Sequence, residues 1–382
     1  MANDTLTGHP IPHQSRGETG LVAHVEGTLA DFLATQIAAL DAVDPALGGF
    51  ARTARDLVLG GGKRLRPTFA YWGWRGVADP GEALEAILPA LAALELMHTF
   101  ALVHDDVMDE SATRRGAPTA HRIFATQHDR DGRLGDADRF GSTSAILLGD
   151  LCLVWADQLM ARAALGTATL FAARARYDRM RVETVAGQYL DVLGETQPDA
   201  WSLERALLVA RYKTASYTVQ RPLQFGLSLA AASASDSRSA VDAAYARYGE
   251  VVGEAFQLRD DLLGVYGDPL VTGKPAGDDL RTGKPTALLM LARRLATPAQ
   301  LAELAEPALD PAGVVNPADG SGGPPIDRLA DVIAATGAPD RVEELIRRRV
   351  DDGLAALRDA PLHPDARAAL THLAVAATHR PA

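Results

Sequence analysis

Residues Glu82–Glu110 read EALEAILPALAALELMHTFALVHDDVMDE. Alanine and leucine recur at spacings of three and four, which predicts a helix. From Leu94 to Val103 the run is apolar nearly all round, the pattern of a helix buried inside a bundle. It then ends in acids. On a helix, Asp105 and Asp109 share a face one turn apart, while Asp106 points about 100° away. Burying a carboxylate costs several kcal/mol unless something pairs it. The negative end of the helix dipole adds to that cost. Two carboxylates on one face call for a cation, and hard oxygen ligands suit magnesium. Taken alone, the pattern also fits a solvated acidic helix end.

The same helical texture continues in LCLVWADQLMARAAL, RVETVAGQYLDVL and LERALLVARYKTASYTVQ, and alternating β-branched strands are absent. The fold class expected is all-α: one domain, a bundle of ten or more helices around a central cavity. Residues 1–20 are polar and read as a disordered tail, and the domain runs from 21 to 382. Gly-rich polar stretches near 127–142 and 310–325 read as surface loops. With 382 residues, 47% of them hydrophobic, the chain can bury a large core. A net charge of −11 argues against a general nucleic-acid binder. The single cysteine, Cys152, excludes an internal disulfide and suits a cytoplasmic setting. No stretch of about 20 residues is uninterruptedly apolar, so no membrane span is expected.

A second acid pair, Asp260 and Asp261, ends another apolar run in FQLRDDLLGVYGD. Basic residues gather at other helix ends: GGGKRLRP (Lys63, Arg64, Arg66), TRRG (Arg114, Arg115), YKT (Lys213, Thr214) and TGKPAGDDLRTGKP (Lys274, Lys284). Each alone reads as a solvated helix end. Together they fit a diphosphate held by metals on one side and by Lys and Arg on the other. His98 lies seven residues before Asp105, about 20° off the same helical face, and therefore faces the same cavity. His104 falls on another face and reads as structural. Cys152, Trp72 and Trp74 read as core.

These motifs, in this order, resemble the polyprenyl synthetase family of trans-isoprenyl diphosphate synthases. The likeness runs from about Val22 to the C-terminal helices, and VTGKPAGDDLRTGK is similar to actinobacterial geranylgeranyl diphosphate synthases. The resemblance implies the isoprenoid synthase fold, a homodimer, and head-to-tail condensation of isopentenyl diphosphate with an allylic diphosphate. It implies roughly three magnesium ions per site, held by Asp105, Asp109 and Asp260, with Asp106 and Asp261 supporting them. Arg114, Lys213 and Lys284 would clamp the allylic diphosphate, with Lys274 nearby. Thr214 and Gln257 would lie beside the reacting carbons. Lys63, Arg66, His98 and Arg115 would bind isopentenyl diphosphate.

One departure stands out: the second motif reads DDLLG, with Gly264 where the family commonly has an acid, and Asp268 is a nearby charge. Product length depends on residues before Asp105. Ala101 lies about 40° and Leu94 about 20° from its face, while Phe100 lies about 140° away. A small residue at the fourth position and an aromatic at the fifth resemble geranylgeranyl synthases, so that product is expected, with farnesyl diphosphate the runner-up. A class I terpene cyclase shares the fold and the DDxxD pattern but binds no isopentenyl diphosphate, and GGGKRLRP and TRRG argue against it. A non-catalytic partner subunit is opposed by retention of Asp105, Asp109, Arg114, Arg115, Lys274 and Lys284.

Overall fold

The computed structural model describes residues 16–197, 200–231, 235–267, 277, 280, 283–305 and 326–378. The fold is all-α, as the sequence predicts, apart from one two-residue hairpin. Helices α1 (Arg16–Asp41), α2 (Pro45–Leu59), α3 (Leu65–Arg75) and α4 (Leu84–Met108) precede that hairpin, β1 (Thr113–Arg114) and β2 (Ala117–Pro118). Helices α5 (Ala120–Arg130), α6 (Ala137–Met160), α7 (Thr167–Thr196) and α8 (Leu203–Val209) follow. A π-helical segment, Ala210–Gln220, runs directly on into α9 (Arg221–Leu229). The remaining helices are α10 (Ser235–Tyr266), α11 (Ala287–Leu295), α12 (Pro298–Ala305), α13 (Ile326–Ala335), α14 (Ala338–Arg358) and α15 (Pro364–Thr378).

Two expectations need correction. Residues 127–142 are mostly helical, and the loop shrinks to the turn between Arg130 and Ala137. Gly132 and Gly135 turn the chain at positive φ, and the Asp136 carboxylate caps α6 by accepting from the Arg139 N–H. Helix α1 begins at Arg16, inside the stretch assigned to a tail. Residues 1–15 and 310–325 lie outside the described residues. Helices α4 and α6 are also long and apolar enough to cross a membrane. Both instead belong to the packed interior, with Ala90–Met97 buried all round and α6 buried along one face.

Two apolar clusters make the core. One joins α1, α2 and α4 to α7; the other joins α8 and α10 to α15. Helix α3 contributes to both, Trp72 to one and Trp74 to the other, and so does the π segment through Val219 and Tyr217. Cys152 is a buried core residue whose thiol is pushed up to about 12 by burial. Where α4 crosses α6, a side chain at Gly149 would overlap the His104 ring. The ring occupies that space and its Nε2 lies 2.9 Å from the Ile146 carbonyl oxygen, fixing the charged end of α4 to α6. The π segment is held between α7 and α10. A Cβ at Gly187 would overlap the Lys213 backbone, one at Gly249 the Gln220 backbone, and one at Gly253 would come within 2.7 Å of Ala215 Cα. At the far end of α10, Arg259 clasps Glu343 of α14 through two bonds of 2.6 and 2.7 Å. Its Nε donates to the Thr378 carbonyl in the last turn of α15 at 2.7 Å.

Candidate active site

The acids that end α4 face the π segment and α7. Asp105 Oδ1 accepts from Lys213 Nζ at 2.9 Å and from Gln188 Nε2 at 3.1 Å. Its Oδ2 accepts from Arg114 Nη2 at 3.1 Å. Lys213 also reaches Asp191 at 2.5 Å, and Lys284 lies 2.9 Å from Asp191, 3.7 Å from Asp109 and 3.9 Å from Glu195. The two lysines thus alternate with carboxylates from α4 and α7. Asp106, turned away from that face, is buried and paired with Arg114 at 2.7 Å.

Burial opposes every charge in this cluster, and the partners decide the outcome. Lys213, Lys284 and Arg114 overcome burial and hold the Asp105 carboxyl well below the usual range. Lys284 and Lys213 do the same for Asp191. Asp109 and Glu195 go the other way: burial raises both, and neighbouring carboxylates add to it. Lys284 is held well above its ordinary value against burial by Asp191, Asp109 and Asp105. Five carboxylates (Asp105, Asp106, Asp109, Asp191, Glu195) share three cations (Arg114, Lys213, Lys284), so this half of the site is short of positive charge.

The second acid pair divides its roles. Asp261 is buried and accepts from Gln257 Nε2 at 2.8 Å and from the Ala287 N–H at 3.1 Å, the first turn of α11. Asp260 is half-buried, one position earlier on α10. At the departure from the family pattern, the Gly264 carbonyl accepts from the Gly277 N–H at 2.8 Å. Among the described residues no group of three His, Cys, Asp or Glu side chains converges on one metal-sized position. The donor set at Asp105 and Asp109 is two same-face carboxylates. That fits magnesium, which takes one or two carboxylates and completes its shell with phosphate oxygens and water.

The other half of the site has the opposite imbalance. Arg66 donates to Thr218 Oγ1 at 2.9 Å and stacks 3.9 Å from the Tyr217 ring centre, while its buried Nε finds no protein acceptor. Arg115 sits in the hairpin turn at φ 53°, followed by Gly116 at 75°, the two positive values that a two-residue primed turn requires. Left-handed backbone at a non-glycine costs roughly 1–2 kcal/mol. Arg115 Nη1 donates to the Gly61 carbonyl at 2.5 Å, locking the turn to the loop before α3. Burial and then Arg114, with Arg64 and Arg66 adding to them, depress Arg115 against the pull of Glu95. His98 Nδ1 lies 2.7 Å from the Tyr217 hydroxyl. Burial first, then Arg66, Arg115, Arg114 and Arg64, keep this imidazole neutral. Lys63 is exposed at the rim.

Arg64, grouped with Lys63 and Arg66 in the sequence, has a different task. It is buried on Glu95 at 2.7 Å, on Glu26 at 3.2 Å and on the Val58 carbonyl at 2.9 Å. Thr214 lies half-buried on the π segment and Gln257 beside Asp261. Ala101 is half-buried one turn below Asp105, and Leu94 is buried in the core. Phe100 packs edge-on against His104, on the α6 side of α4. Lys274 and Asp268 lie outside the described residues. Gln188, Asp191 and Glu195 of α7 do not stand out in the sequence, although their spacing of three and seven marks one helical face. Tyr217 and Thr218 are likewise inconspicuous inside KTASYT.

Comparison with known proteins identifies the family. The polyprenyl synthetase family model matches residues 49–311. A crystal structure of geranylgeranyl pyrophosphate synthase from Corynebacterium glutamicum, complexed with isoprenyl diphosphate and magnesium, superposes with a TM-score of 0.84 at 39% identity. That match covers 94% of this chain and 98% of the other. Octaprenyl diphosphate synthase of Escherichia coli is 31% identical over 321 residues, 84% of this chain and 87% of that protein. Geranylfarnesyl diphosphate synthase of Aeropyrum pernix is 31% identical over 300 residues, 77% of this chain and 82% of that protein. The chain belongs to the polyprenyl synthetase family and is a trans-prenyl diphosphate synthase.

The charge alternation has a pH signature. Asp191 has a folded-state pKa below its unfolded value, so its stabilisation is fully present above the unfolded pKa and is lost as pH falls through the folded one. Asp191→Asn is expected to cost about 1–3 kcal/mol at neutral pH. In urea unfolding the gap from wild type should narrow progressively below about pH 4. A gap that stays constant into acid would contradict the pairing.

Proposed function

We propose that this polyprenyl synthetase condenses isopentenyl diphosphate with dimethylallyl, geranyl and farnesyl diphosphates, and that geranylgeranyl diphosphate is its main product. The observation that carries the two-substrate reading is the split in charge. One pocket holds five carboxylates against three cations, and beside it Arg66 and Arg115 act on a neutral His98, with Lys63 exposed at the rim. The first suits a diphosphate that arrives with divalent cations, and the second one that binds to the protein directly.

Asp105, Asp109 and Asp260 would hold magnesium, about three ions in the filled site. When bound, magnesium neutralises charge that builds on the leaving oxygens. Lys213, Lys284 and Arg114, released from their carboxylates, donate to the same diphosphate, with Lys274 as a further contact. Ionisation breaks the allylic C–O bond, and Thr214 and Gln257 line the resulting cation. The isopentenyl double bond attacks it while Arg66, Arg115, Lys63 and His98 hold its diphosphate. Carbon–carbon bond formation leaves a cation that loses a proton to the departing pyrophosphate. His98, kept neutral, serves as a hydrogen-bonding group rather than a charge. Activity is expected to require magnesium. Asp105→Ala should lower turnover at least about a hundredfold in a chain whose circular dichroism is unchanged. Near-normal turnover would sink the assignment.

The growing tail is expected to pass Ala101, one turn below the metals, toward Leu94. Phe100 supports the tail from the α6 side through its packing on His104. Product chromatography should give geranylgeranyl diphosphate for the wild type, shorter chains for Ala101→Phe and longer ones for Phe100→Ala. A wild type that stops at farnesyl diphosphate would favour the runner-up.

The chain acts as a homodimer in this reading. Helices α6 and α7 leave Ile146, Leu147, Val154, Phe171, Val182, Val185 and Tyr189 exposed on their outer faces. Val182, Val185 and Tyr189 form one stripe at spacings of three and four, suited to a self-complementary two-fold contact. Sedimentation at micromolar concentration should give a dimer, and Val185→Glu should yield monomer. A fully active wild-type monomer would refute it.

A further inference from the structure

We infer that Glu183 of α7 is a positioning residue that fixes the register of the π-helical segment carrying Lys213 and Thr214. The inference rests on the two-substrate reading above. A π-helix as long as Ala210–Gln220 is rare and persists only where its surroundings over-determine it. The glycines at 187, 249 and 253 let α7 and α10 come close, but apolar approach sets distance more than rotation. Rotation is set by a polar latch on α7, at Glu183, which precedes Asp191 on the same helix.

Ser216 Oγ donates to Glu183 Oε2 at 2.9 Å. Arg221, the residue that follows the π segment, donates through Nε to Oε2 at 2.7 Å and through Nη2 to Oε1 at 2.8 Å. Arg179 adds a bond to Oε1 at 2.9 Å. One carboxylate therefore accepts four hydrogen bonds, three of them from arginine. The two members of the bidentate pair are only 14% and 13% exposed, so solvent competes weakly. Arg221 Nη1 continues to Gln224 at 2.5 Å, and Gln224 to Asp242 of α10 at 3.0 Å, so the latch spans the helices on both sides of the segment.

Ser216 lies three residues after Lys213 and directly before Tyr217. Any rotation of Ser216 therefore moves Lys213 from Asp105 and Tyr217 from His98. Helix α7 grips the segment a second time, through Asp191 and Lys213. That grip dissolves when Lys213 turns to a diphosphate. The Glu183 latch contains no group assigned to substrate, so it remains in force through the reaction.

The test uses the full chain with magnesium, isopentenyl diphosphate and farnesyl diphosphate. Glu183→Gln keeps the size and removes the charge, and Ser216→Ala removes one hydroxyl. Each should lower kcat roughly tenfold or more with a melting point within a few degrees of wild type. The double variant should be no slower than Glu183→Gln alone, because the carboxylate acts through Ser216. Calorimetric titration with pyrophosphate and magnesium should show the same order of weakening without turnover. Wild-type kcat in a folded Glu183→Gln chain, or losses that multiply in the double variant, would overturn the latch. If Glu183→Gln does not fold, Ser216→Ala and Arg221→Lys form the same cycle. A lowered kcat that does not fall further in that double variant then supports the latch, and wild-type kcat or multiplied losses overturn it. An inactive wild type would instead overturn the two-substrate reading.

Discussion

Negative charge placed at the negative ends of apolar helices is the constraint from which the rest of this molecule follows. Helices α4 and α10 both run from a buried core into carboxylates near their C-terminal ends, where the backbone dipole makes further negative charge unfavourable. Lys213, Lys284 and Arg114 reach in from a π segment, a loop and a hairpin to relieve it. Three separate elements are thereby drawn to one mouth. The arrangement remains short of cations.

The adjoining pocket solves the opposite problem with different means. Positive groups repel there, and backbone conformations that L-residues avoid hold them in place. Arg64 and Arg115 both lie at positive φ. Arg64 is anchored by the buried Glu95 and Arg115 by a carbonyl of the glycine-rich loop. Strain of this kind persists where the surroundings leave no alternative. The loop and the hairpin hold each other, so Arg115 and the start of the helix that carries Arg66 are tied by one contact.

Much of this was legible in the residue pattern. Asp105 and Asp109 stand at the end of an apolar run, where polar residues are conspicuous, Lys213 and Lys284 stand in short basic motifs, and the structure brings all four together. Asp191 was not legible because α7 is charged on several faces and a single acid between Leu190 and Val192 carries no motif. Arg64 was misread with its neighbours because burial depends on Glu95, thirty-one positions away in the chain. The π geometry could not be read at all. KTASYT has ordinary helical composition, and the glycines that admit its backbone between α7 and α10 lie outside it in the chain. The loop near 127–142 was overestimated because glycines that make one tight turn resemble a flexible stretch in composition.

The bond from Arg259 to the Thr378 carbonyl bears on how the enzyme comes into being. Arg259 is the immediate neighbour of Asp260, yet its acceptor lies 119 residues further along the chain. During synthesis at about 5–20 residues per second, the ribosome needs roughly 6–24 seconds to bridge that gap. Through that interval the first acidic cluster can already be folded while the second lacks its clamp. The surroundings of Asp260 are therefore completed late, once α15 has docked.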